Sequence, residues 1–201
     1  DQRDALDATG QELAEEIATL QAELLRVSDP ALVAELRRSE LVSGTLPVGG
    51  PGVVVELDDG AVLQDGVLDP DSRVQDVDLK MVVNALWAAG AEAMAVNGQR
   101  LTSLTTVRTA CETVWVNFVP LTAPYRVEAV GDAAAMSTRF ARSSAAATLV
   151  SLESAYGITT DVTTEDSLSL PAGSGRGLRY ATVPEGVTSS SGTAPTQEGT
   201  S

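Results

Sequence analysis

The chain has 201 residues, 43% of them hydrophobic but only 3% aromatic, which suits one domain of usual size with added terminal segments and a core of Ala, Val and Leu. Its formal net charge is −15, from 28 acidic and 13 basic residues; that field repels phosphate backbones and anionic lipid head groups, so no nucleic-acid partner is expected. Histidine is absent, removing the commonest general base and zinc ligand, and most hydrolase mechanisms lose their proton shuttle. Cys111 is the only cysteine, so no intramolecular disulfide can form; it reads as a small residue at the start of a strand.

From Leu6 to Val27, the apolar residues Leu6, Leu13, Ile17, Leu20, Leu24 and Val27 follow an a/d spacing interrupted by Gly10, with Glu12, Glu15, Glu16 and Glu23 lying off the seam. About three heptads permit either a coiled coil or an amphipathic helix docked on its own domain; the coiled coil is the favoured expectation. Ser28-Asp29-Pro30 caps and restarts the helix, and a second helix runs through Leu41 until Gly44 stops it. Residues 1–44 thus form a helical arm broken near Pro30, before an α/β domain over 45–183.

Leu46 to Gly52 reads as a turn-rich lead into the buried strand Val53–Leu57, and Asp58 to Asp71 as an acidic loop. Leu79, Val82, Val83, Leu86 and Gly90 repeat at helical spacing, with Ser72 and Gln75 offering a capping-box start and Gly90 a C-terminal cap. Ala93–Val96 is a short strand, and Asn97-Gly98 is the strongest hairpin signal in the chain. Val107 belongs to an extended piece, and Thr113–Val119 alternates so that Val114, Val116 and Phe118 share one face. Tyr125–Val130 is a further strand; Gly131-Asp132 then caps one long Ala-rich helix ending at Gly157. Ile158–Thr164, Leu168–Leu170 and Leu178–Thr182 read as closing strands, and residues 184–201 as a disordered Ser/Thr/Gly/Pro tail. The order is that of an α+β domain with a ferredoxin-like split β-α-β sheet and its helices on one face.

Motifs that carry chemistry are wanting. Asp58, Asp59, Asp65, Asp69 and Asp71 lack calcium-loop spacing and its closing Glu. Gly173 to Gly177 follows Pro171 and precedes a strand instead of a helix, unlike a phosphate-binding loop. No serine has a histidine or a Ser-x-x-Lys partner. No catalytic residue, metal or cofactor is therefore expected. No stretch approaches the roughly 20 apolar residues of a membrane helix; since the sequence starts at Asp1, a membrane anchor is expected upstream. The polar residues Asn84, Glu92, Asn97, Gln99 and Arg100 gather at one helix-strand-turn junction and form the candidate ligand or partner site. Each also has a structural explanation: Asn84 facing solvent, Asn97 shaping a turn, Arg100 pairing with Glu92.

At this junction Val83 to Arg100, read as VNALWAAGAEAMAVNGQR, resembles the signature of a bacterial family, domain of unknown function 881. Gly50-Pro-Gly-Val-Val-Val, Ala123-Pro-Tyr and Ala129-Val-Gly-Asp132 support the resemblance, in the same order. The resemblance implies an envelope protein with one N-terminal membrane helix, a coiled coil and an extracytoplasmic domain, in some cases encoded beside cell-division genes. A non-enzymatic interaction or scaffold role is the leading expectation, with envelope proteins as partners and a weak homodimer through the N-terminal helix. The rival is a small-ligand-binding or sensory module.

Overall fold

The computed structural model describes Thr19 and residues 30–60 and 72–173; the Leu6–Val27 seam apart from helical Thr19, the acidic positions Asp65, Asp69 and Asp71, the expected strand at 178–182 and the 184–201 tail lie outside the described residues. Helix α1 (Pro30–Ser43) is followed by β1 (Val48–Asp58), α2 (Asp76–Ala89), β2 (Ala93–Val96) and β3 (Gln99–Arg100). A meander of β4 (Val107–Ala110), β5 (Thr113–Val116) and β6 (Val119–Leu121) comes next. The chain closes with β7 (Tyr125–Val130), α3 (Ala133–Ala141), α4 (Ser144–Tyr156) and β8 (Thr159–Leu170). The fold is α+β. Five strands make an antiparallel sheet in the order β3-β2-β7-β1-β8, and β4-β5-β6 form a second, three-stranded one.

Alternation along β1 explains the two sides of the large sheet. Val53, Val55 and Leu57 point into a core shared with Leu79, Val82 and Leu86 of α2, Met136 and Phe140 of α3, and Ala145 and Leu149 of α4. Helices α2, α3 and α4 therefore cover one face, and Val114, Val116 and Leu121 of the meander extend the same core. Val54 points the other way, into a smaller cluster with Ala93, Ala95, Val130, Leu168 and Leu170.

That back-face cluster has a cause in the glycine-rich stretch before Val53. The stretch expected to be a turn continues β1 instead, paired with β8, and the ladder slips between Gly50 and Gly52. The bulge folds the β1–β8 ribbon over the back of the sheet, so that Val48, Leu168 and Leu170 reach Ala93 and Ala95 of β2. Gly52 makes this crossing possible: a Cβ there would lie 2.1 Å from the Ala129 carbonyl oxygen and 2.7 Å from Leu168 Cδ1.

Helix boundaries follow local chemistry. Gly44, at φ 76°, ends α1, with Gly44 N–H donating to Leu41 O and Thr45 N–H to Glu40 O, the paired bonds of a glycine C-terminal cap. Gly90 ends α2 in the same way, as the sequence led us to expect, and α2 starts at Gln75, whose N–H donates to the Asp78 carboxylate. The single long helix expected after Asp132 is two helices. Ser143 breaks it, because its hydroxyl accepts from Ala146 N–H and so caps a new helix. The two strands expected around Thr164 and Leu168 are one continuous strand, β8.

Replacing Gly52 by Ala should lower stability by about 3 kcal/mol or more, since the colliding partner is backbone. Urea unfolding checks this; a loss under about 1 kcal/mol would mean that the ribbon does not cross so closely.

Candidate interaction surface

The junction residues do not converge. Asn97 adopts φ 44° beside Gly98 at φ 75°, the two-residue turn joining β2 to β3. Its amide is engaged within the fold: Oδ1 accepts from Arg126 N–H at 2.7 Å, and Nδ2 donates to Thr122 O and Pro124 O at 3.3 and 3.2 Å. Asn97 thereby fastens the segment around the cis Ala123–Pro124 peptide to the hairpin.

Arg100 is 5% exposed and does not pair with Glu92, contrary to expectation. Arg100 stands opposite Ala95 in the β2–β3 ladder, so its side chain lies on the back face, where Nη1 donates to Leu46 O and Pro171 O, both at 3.1 Å. These carbonyls lie side by side at one end of the folded-over ribbon, where Val48 pairs with Leu170, and the guanidinium ties that end to the opposite edge of the sheet. Both bonds come from the two N–H groups of the one Nη1 nitrogen, while the buried Nε has no hydrogen-bond partner. Burial pulls its pKa below the ordinary arginine value. Beside it, Gly173 N–H donates to Gly44 O at 2.7 Å, so the root of the helical arm is fixed at the same corner.

Glu92 is exposed, and its backbone N–H donates to Val130 O. Gln99 is half-buried on β3. Asn84 is exposed on α2, separated by the sheet from Arg100, and of the five junction residues it is the one that lines an open groove of about 490 Å³. The floor and walls of this groove are Met81, Ala85, Ala88 and Ala89 of α2 and Ala145 of α4. Arg139, Ser143 and Ser144 supply the remaining polar rim. Arg139 Nη1 donates to Ala89 O at 3.0 Å, which places a cation on the C-terminal end of α2.

Two exposed features escaped the sequence reading. Phe118 is not on the strand face with Val114 and Val116; β5 ends at Val116, and Asn117 and Phe118 form a turn at φ 50° and 66°. The aromatic ring is 62% exposed, with the Arg108 guanidinium 5.6 Å from its centroid. Cys111 likewise sits in a turn with Glu112, both at positive φ, and not at the start of a strand. The second feature is the charge-poor outer side of α4, whose sequence carries Glu153 as its only ionisable acid or base apart from Tyr156. The hydroxyls of Thr148, Ser151 and Ser154 turn back to the carbonyls of Ser144, Ala147 and Val150.

Among the described residues, no group of three or more Cys, Asp or Glu side chains is placed to hold a metal ion. Asp59, from the acidic set considered for cations, instead accepts from Val74 N–H.

A family model described as a bacterial protein of unknown function, DUF881, matches residues 35–182. The chain belongs to this family. It is 37% identical over 157 residues to the UPF0749 protein Rv1823 of Mycobacterium tuberculosis, covering 75% of this chain and 51% of the relative. It is also 34% identical over 101 residues to the UPF0749 protein YlxW of Bacillus subtilis, covering 50% of this chain and 44% of that protein. The chain thus spans about half the length of these curated relatives. A crystal structure of an uncharacterized conserved protein from Mycobacterium tuberculosis shares the fold, with a TM-score of 0.58, 23% identity, and coverage of 75% of this chain and 99% of that one. None of these matches carries the name of an enzyme.

Arg100→Met should cost about 2–3 kcal/mol, because two carbonyls at one end of the ribbon lose their donor, and Arg100→Lys should recover only part of it. Chemical denaturation of the three proteins decides this; equal stability would show that Arg100 is dispensable to the fold.

Proposed function

We propose that this chain is a non-enzymatic interaction module of the bacterial envelope, with a helical arm that associates and an α/β domain that presents a binding face. The observation that carries the proposal is the state of α1. Of its residues whose burial is described, all are exposed except half-buried Val33 and Glu40, and Leu36, Leu41 and Val42 lie in the open, Val42 at 86%. A helix that leaves such residues uncovered has a partner to meet. The sequence before it adds the seam of Leu13, Ile17, Leu20, Leu24 and Val27, which suits a coiled coil.

The small-ligand alternative called for the polar junction residues to line a common pocket. Asn97 and Arg100 are instead engaged with backbone groups, Glu92 is exposed, and only Asn84 reaches a groove. Surface contact is the better use of this architecture. The central order β8-β1-β7-β2, with α2 between β1 and β2 and α3–α4 between β7 and β8, supports reading the domain as a ferredoxin-like split β-α-β sheet with the meander inserted in its middle hairpin.

The family resemblance supports placement at the cell membrane, through an anchor upstream of this sequence and with the domain outside the cytoplasm; a link to division belongs to the same proposal. No helix among the described residues is long and apolar enough to cross a membrane. An anchor would raise the local concentration of the arms and strengthen a weak association.

Sedimentation over a concentration series tests the arm. The present chain should dimerise weakly, while a chain starting at Ser43 should stay monomeric. Equal monomeric masses at all concentrations would overturn self-association through the arm. Localisation of a tagged full-length protein in its native cell, with partner capture, tests the envelope assignment, which a cytoplasmic distribution would defeat.

A further inference from the structure

We infer that the groove between α2 and α3–α4 is the seat of the Leu6–Val27 segment of a second copy of this chain. The inference rests on the self-association proposed above and assigns it a surface. Three features lead to it.

The first is the shape and chemistry of the groove walls. Met81, Ala85 and Ala88 line it along α2, and a side chain longer than a methyl group occurs among these three only at Met81. Small residues at such spacing let a third helix approach closely and lay its ridge between two others. On α4 the row Ala147, Val150 and Ser154 recurs at helical spacing on the solvent side, opposite the buried Ala145 and Leu149. Val150 on this row is 63% exposed, and the Ser154 hydroxyl is turned back to its carbonyl. The groove thus opens between two helices whose outer surfaces the domain does not bury itself.

The second is charge. The Leu6–Val27 sequence carries Asp7, Glu12, Glu15, Glu16 and Glu23 against a single base, Arg26. Arg139 lines the groove and no acidic residue does, and Arg142 lies at the α3–α4 break beside it. In a chain with a net charge of −15, this neutral-to-basic strip is where an acidic amphipathic helix meets least repulsion. Its stripe of Leu13, Ile17, Leu20, Leu24 and Val27 would then meet the alanines.

The third is the place of the arm's root, which selects a second copy over the same one. Gly44 is fixed to Gly173 at the corner built around Arg100, and that corner belongs to the back face of the sheet. The groove lies outside the helical layer on the other face. From the corner, α1 carries the chain a further 14 residues, about 21 Å at 1.5 Å per residue, with most of its surface exposed. The root of the arm and the groove of the same domain thus lie on opposite sides of the sheet, and on this ground the groove is assigned to the arm of a second copy. Two copies exchanging arms satisfy both grooves at once and close a symmetric dimer.

Ala88→Glu tests this in the full chain. Ala88 is exposed, so the added carboxylate blocks the groove without entering the core and opposes the acidic segment. Sedimentation equilibrium should show the dimer weakened at least tenfold, with an unchanged melting temperature for the domain in a variant starting at Ser43. Asn84→Glu, one turn earlier on the same wall, repeats the test should Ala88→Glu disturb folding. Carbodiimide coupling of mixed isotope-labelled copies supplies the second readout: Lys80, the only lysine, one residue from Met81 in sequence and paired with Asp76, should couple to glutamates of the arm across copies as well as to Asp76 within its own. A dimer of undiminished strength in both variants, with no link from Lys80 to the arm of another copy, would overturn the groove and leave a coiled coil, so the self-association reading survives. Lys80-to-arm links within one copy alone would overturn exchange in favour of intramolecular docking. A full chain that remains monomeric would remove both.

Discussion

The guanidinium of Arg100 holds together parts of the chain that local preference alone would leave apart. It stands on the shortest strand of the large sheet and binds carbonyls at positions 46 and 171, which sit together at the end of a ribbon that has folded across the back face. Without that closure, Val54, Ala93, Ala95 and Val130 would face water from a sheet covered by helices on one side only. A buried cation is an expensive fastener when its hydrogen bonds are poor. Here Nη1 serves two backbone carbonyls while the buried Nε has no partner, and the arm's root at Gly44 is anchored beside them.

The same economy governs the other polar groups near the family signature. Asn97 holds a turn and a cis-proline segment in register with its amide. Asp59 and Asp132 accept from backbone N–H groups. Side chains that would draw attention as a binding constellation thus act as fasteners of turns and helix ends, where the backbone otherwise lacks partners. The uncommitted surface lies elsewhere: on α1, on the outer side of α2 and α4, and at the tip carrying Phe118. Phe118 at φ 66° is a bulky residue in a conformation that favours glycine or asparagine, held there between the two strands of a tight hairpin.

The separation of the two faces gives the molecule a direction. The helical arm leaves from the back-face corner, while the charge-poor helix surface looks the opposite way. The molecule so places the exposed helix α1 on one side of the sheet and the groove on the other. It offers no enclosed space in which the described polar groups meet.

Much of this was written in local patterns. The alternation of Tyr125–Val130, the helical spacing of Leu79, Val82 and Leu86, the glycine stops at Gly44, Gly90 and Gly157, the Asn97-Gly98 hairpin and the Asp132 cap depend on residues within a few positions of one another, and all stand in the structure. The family signature was legible for the same reason, being contiguous. The reading failed where a distant contact decided. Gly49 to Gly52 look like a turn until β8 pairs with them and Gly52 meets Ala129. Val116-Asn-Phe118 looks like continuing strand until Val119 pairs back onto Val116. Arg100 looked like a partner for the nearest acid, Glu92, because sequence shows proximity along the chain but not which face a strand presents. Its acceptors are 54 and 71 residues away in sequence, brought to it by the folding of the ribbon. Composition, elements and family followed from the sequence because they are set by short-range stereochemistry and by sums over residues; the use of each polar side chain was settled only by tertiary structure, which determines what stands across from it.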